Sequence, residues 1–138
     1  MTDVRADEPW PAELGQAIED FNRGEYHACH DALETLWKRE RRPIRQAYQG
    51  IIQLAVAFHH LTNGNRRGAE LCLERAWGRL LPFEQGALGL DIRSLLAASQ
   101  AAFENATGAA EGTGSRLGPT IRRSGAWEQP GQPVRPPS

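Results

Sequence analysis

Apolar residues recur at helical spacing throughout residues 11–106, and no segment alternates β-branched and polar residues with a period of two. That pattern predicts an all-α domain. Leu14, Ala17, Ile18 and Phe21 share one face of a first helix over 11–22, and Gly24 follows as its stop. A second helix runs from Tyr26 to about Arg41, with Tyr26, Cys29, Leu33, Leu36 and Trp37 on its apolar face. Pro43 blocks its continuation and suits the first turn of a third helix, from about Ile44 to Thr62. Asn63 and Gly64 form the exit. Asn65 caps a fourth helix that ends before Pro82, and Asp91 caps a fifth that ends near Ala106. The expected fold is a compact bundle of about five helices.

The third helix differs from the others. Ile51, Ile52, Leu54, Ala55, Val56, Ala57 and Phe58 point in every direction around its axis. A helix apolar all round is buried all round, so the third helix is expected to be the central rod. Gln49, Gln53 and His60 nevertheless fall on one narrow stripe of it. Buried amides without partners cost about 1–3 kcal/mol each, so this stripe needs a polar surface opposite. The second helix offers one. His30 and Glu34 stand one turn apart on the flank of its apolar face, with His27 beside them towards solvent.

An imidazole and a carboxylate at that spacing can chelate one divalent cation or hydrogen-bond each other. His60 would complete a set of two histidines and one carboxylate. Gln49 and Gln53 would then orient the ligands, with Tyr26, His27 and Trp37 supporting the site. His59 points away from His60 and reads as an exposed or otherwise satisfied histidine. No CxxC or HExxH pattern accompanies the set. Cys29 and Cys72 read as small core residues carrying reduced thiols.

These residues carry a resemblance. Phe21-Asn22-Arg23-Gly24-Glu25-Tyr26, followed by His30, Glu34 and Trp37, resembles the HxxxExxW signature of the domain of unknown function 309 family. A second block resembles the same family: Tyr48-Gln49-Gly50-Ile51-Ile52-Gln53 through His59-His60-Leu61, then Gly64-Asn65 and Gly68-Ala69. The resemblance covers about residues 13–92. It implies a small, all-helical protein whose motif residues are His30, Glu34, Trp37, Gln49, Gly50, Gln53, His60 and Asn65. It implies no established biochemical function, and metal binding only as a suggestion from the motif.

Composition narrows the picture further. A chain of 138 residues supports one domain. A net charge of -1 argues against a polybasic nucleic-acid coat. The cluster Lys38, Arg39, Arg41, Arg42 and Arg45 reads as a solvated helix end, so nucleic acid is a disfavoured partner. Two cysteines are too few for a disulfide scaffold. No apolar run reaches the ~18 residues of a membrane helix. The acidic start has no apolar signal region, and the expected compartment is the cytoplasm. Residues 1–10 are expected to be a flexible N-terminus. Residues 107–138, rich in Gly and Pro, are expected to be a disordered tail able to meet a protein partner, with Thr120–Trp127 as a candidate docking motif.

Catalytic machinery is poorly supported: Ser94 and Ser99 have no histidine nearby, and no phosphate loop or dinucleotide fingerprint is present. The favoured reading is a metal- or small-ligand site between the second and third helices, built on His30, Glu34 and His60, with a divalent metal ion as its cofactor. The alternative is a non-enzymatic protein-interaction module whose His/Glu/Gln network is structural.

Overall fold

A computed structural model of the chain describes residues 11–106 and 118–121. The expected flexible N-terminus over 1–10 lies outside the described residues, as does most of the expected tail. The described part is an all-α bundle of five helices. These are α1 (Ala12–Asn22), α2 (Tyr26–Arg39), α3 (Arg45–Thr62), α4 (Arg66–Leu80) and α5 (Ile92–Ala106), with a short 3-10 turn at Leu81–Phe83.

Local chemistry sets the helix ends. Asn65 accepts the Gly68 N–H at 2.9 Å and caps α4. Asp91 accepts the Ser94 N–H at 3.2 Å and the Ser94 hydroxyl at 2.8 Å ahead of α5. Two chain reversals share one device. Gly24 and Gly64 adopt φ of 85° and 79°, a region that costs glycine nothing. Beyond each, an N–H returns to the preceding helix: Glu25 to the Asp20 carbonyl at 2.7 Å, Asn65 to the His60 carbonyl at 2.8 Å.

The second helix stops two residues earlier than its pattern suggests. Glu40 leaves the helix in an extended conformation. Its carboxylate accepts the Arg42 N–H at 3.0 Å and Nε at 2.8 Å. The Arg45 guanidinium takes the carbonyls of Glu40 at 3.0 Å and Trp37 at 3.3 Å. These groups satisfy the helix end that a further turn would otherwise have covered.

Helix α3 lies between α2 and α4, and α1 packs on α2. Helix α5 rests against α3, α4 and the 3-10 turn. The core includes Leu14, Phe21, Leu33, Ile51, Leu54, Phe58, Leu80, Leu90, Ile92 and Leu96, each fully buried or nearly so. Every such side chain stabilises the fold by about 1.5–3 kcal/mol. Gly50 explains how closely α3 and α4 approach: a Cβ there would meet Leu80 Cγ at 2.5 Å. Cys29 and Cys72 are buried free thiols, as their positions suggested.

One expectation is corrected. Gln49, Gln53, Val56 and His60 are half-buried, not fully buried, and His59 is exposed. Helices α2 and α4 clasp α3 from two sides, which leaves this stripe at the edge of the clasp. The amides therefore reach water and need no buried polar surface opposite. Within the stretch expected to be disordered, residues 118–121 are seated on the bundle, with Ile121 buried. Its N–H reaches Asn22 at 2.7 Å.

Candidate metal centre

Helix α2 places His27, His30, Asp31 and Glu34 on one side because spacings of three and four residues return to the same face. Helices α2 and α3 run antiparallel, which brings the start of α2 beside the end of α3. The four histidines of the chain consequently form a line. Ring centroids are 6.2 Å apart for His30 and His27, 6.0 Å for His27 and His59, and 6.5 Å for His59 and His60.

His27, His30 and Asp31 are the convergent group. One ligand atom from each lies within 4.8 Å of the others. His27 Nε2 is 3.6 Å from Asp31 Oδ2, and His30 Nδ1 is 3.4 Å from Asp31 Oδ1. The opposite edge of the His30 ring faces a second carboxylate, with Nε2 at 3.8 Å from Glu34 Oε1. The His30 and Glu34 side chains are 30% and 39% exposed, whereas those of His27 and Asp31 are 73% and 64% exposed. The group thus sits at the solvent edge of the α2–α3 groove. It offers two imidazoles and one carboxylate to anything arriving from water.

His60 lies at the far end of the line. Its Nδ1 is 3.3 Å from Asn65 Nδ2, the same side chain that caps α4. His59 Nε2 is likewise 3.2 Å from Asn63 Nδ2. The structure therefore brings His30 and Glu34 together as expected, but His60 does not join the convergent group. Gln49 and Gln53 stand half-exposed on α3. Tyr26 is buried beneath the face, and Trp37 is half-buried at the other end of α2, where the Arg45 guanidinium lies 4.5 Å over its ring.

The motif spacing singles out Glu34 and not Asp31 as the candidate carboxylate. The i, i+3 and i, i+4 relations among His27, His30 and Asp31 were the signal that would have found Asp31. The role of His59 as the link between His27 and His60 had no local signal, because it depends on the packing of two helices. Burial pushes the Cys29 thiol up to about 12, helped by the nearby Asp20 charge, so Cys29 supplies no thiolate to this face. Burial also raises the Cys72 thiol. Ser94 serves as part of the α5 cap, and Ser99 is fully buried, so neither is a placed nucleophile.

The molecule is thus a five-helix bundle with a His/His/Asp cluster on its α2–α3 face. Residues 14–71 match the family described as Domain of unknown function (DUF309), and the chain belongs to that family. It is similar to the uncharacterized protein YpuF of Bacillus subtilis (strain 168), at 38% identity over 97 residues. That match covers 67% of this chain and 55% of YpuF, so the chain spans about half the length of that relative. No solved structure matches the chain. Among the described residues, no helix is long and apolar enough to cross a membrane.

Proposed function

We propose that the α2–α3 face binds a divalent transition-metal ion through His27, His30 and Asp31. The observation that carries this reading is the convergence of their ligand atoms within 4.8 Å. Two ligand atoms bound at about 2.1 Å around a tetrahedral ion sit roughly 3.4 Å apart. The separations of 3.4 Å from His30 Nδ1 to Asp31 Oδ1 and 3.6 Å from His27 Nε2 to Asp31 Oδ2, one to each carboxylate oxygen, are of that order.

Two imidazoles and a carboxylate suit zinc, or iron in its ferrous state, and leave positions for water or a small ligand. Glu34 would accept the second N–H of His30, fixing the ring and raising its basicity. The narrower motif set of His30, Glu34 and His60 shares only His30 with this reading, and His27 and His59 stand between His30 and His60.

Purification without chelator, followed by metal analysis by mass spectrometry, tests the reading. The expected result is one ion per chain, lost at least tenfold in affinity in His27→Ala, His30→Ala and Asp31→Ala. His60→Ala separates the two ligand sets, because only the narrower set requires it. Absence of any bound ion, with no thermal shift on adding Zn, Mn, Fe or Ni, would overturn the reading.

A further inference from the structure

Residues 118–121 meet the bundle through a small set of directed contacts. Asn22 spends both halves of its amide on one residue. Its Oδ1 accepts the Ile121 N–H at 2.7 Å, and its Nδ2 donates to the Ile121 carbonyl at 3.2 Å. This is the pairing a neighbouring strand would supply, here delivered by a side chain that reads backbone. The Tyr26 hydroxyl accepts the Gly118 N–H at 2.7 Å.

The floor of the seat is aromatic. Phe21, Tyr26 and Phe58 are all buried, with Phe21–Tyr26 ring centroids 5.2 Å apart and Tyr26–Phe58 centroids 6.0 Å apart. Two selection rules follow. A Cβ at position 118 would lie 2.9 Å from the Tyr26 hydroxyl and 3.1 Å from the Phe58 ring, so the first position admits glycine. Ile121 is 3% exposed, so the fourth position takes an aliphatic side chain. Thr120 is exposed and unselected.

We propose that this seat is a peptide-docking site for an extended segment with glycine first and a branched aliphatic residue fourth. Residues 118–121 fill it in cis, and a partner segment of the same chemistry replaces them. Three hydrogen bonds and one buried aliphatic side chain are of the same order as the entropy of ordering four residues. The contact is therefore strong enough to form and weak enough to exchange. Tethering favours the cis segment by effective concentration, so a partner competes only when the chain's own segment is displaced or outnumbered. The seat uses none of His27, His30, Asp31 and Glu34 and stands without the metal reading.

A labelled peptide, Arg-Leu-Gly-Pro-Thr-Ile-Arg-Arg, reproduces residues 116–123. Its binding to the full chain is read by fluorescence anisotropy. The Ile121→Asp variant, shown to be folded by circular dichroism, is expected to bind at least tenfold more tightly than the unmodified chain, because its seat is vacant. Gly118→Ala crowds the Tyr26 hydroxyl and the Phe58 ring, weakens the cis contact and is expected to raise peptide binding by a smaller factor. Adding Asn22→Ala to Ile121→Asp, or replacing the peptide's glycine by alanine at unchanged charge, is expected to cost at least tenfold. Equal binding by the vacated and unmodified chains, or equal binding of the glycine and alanine peptides, would overturn the proposal. A concentration-dependent dimer of the unmodified chain that Ile121→Asp abolishes would assign the segment to a second copy and overturn its cis placement.

Discussion

The two ends of the antiparallel α2–α3 pair are built on opposite principles. At the Trp37 end, charges are matched and stacked. Arg45 lies over the Trp37 ring and binds two carbonyls, and Arg42 grips the Glu40 carboxylate, which is thereby held below the usual carboxylate range. At the histidine end, imidazole centroids stand 6.0–6.2 Å apart, beside Asp31 and Glu34. One end closes a helix terminus, and the other presents ligand atoms to solvent. The HxxxExxW motif spans both, so one short motif carries a stabilising residue and a candidate ligand in the same helix.

That contrast breaks most visibly at Trp37. Trp37→Ala is expected to lower the unfolding free energy by about 3 kcal/mol, since it removes a large side chain and strands the Arg45 stacking. Denaturant melts check the loss, and metal affinity is expected to persist in the folded fraction. Loss of the ion as well would mean the two ends are coupled.

Gly50→Ala tests the neighbouring α3–α4 contact. Helix propensity favours the change by about 1 kcal/mol, but the new methyl collides with a buried Leu80. Overpacking of about 1–3 kcal/mol is expected to win, giving a net loss by thermal unfolding.

Cys29 gives a smaller, pH-dependent effect. Its thiol is held protonated in the folded chain, from 9.0 up to about 12, so the unfolded chain releases that proton first. Stability from this source is fully present below pH 9 and falls as the pH rises towards 12. Between about pH 9 and 10 the expected loss is roughly 1 kcal/mol relative to Cys29→Ala, measured by urea titration at each pH. A parallel pH response in the two proteins would refute it.

The smallest change is expected at the histidine end. With chelator present, His27→Ala is expected to alter stability by less than about 0.5 kcal/mol, because that side chain is largely exposed. A large loss under chelator would show that the histidine line supports the fold, and would erase the contrast.

Much of this was legible in the residues. Helix limits followed from Gly24, Pro43, Gly64, Asn65 and Asp91, whose effects act within a few residues. The His30–Glu34 pair was legible for the same reason. The end of α2 is not legible in the pattern, because Glu40 and Arg45 close it with side-chain contacts that periodicity does not encode. The burial of Gln49 and Gln53 was overestimated because an apolar count around α3 ignores which neighbours cover it.

The sequence alone determined the five helices, their caps and the one-turn relations on α2, because backbone geometry converts spacing into faces. Only the tertiary structure decided that His27 meets His59, that His60 turns to Asn65, and that Ile121 seats against Asn22. Those pairings join residues far apart in the chain, and their geometry is set by helix crossing and close packing rather than by any local preference.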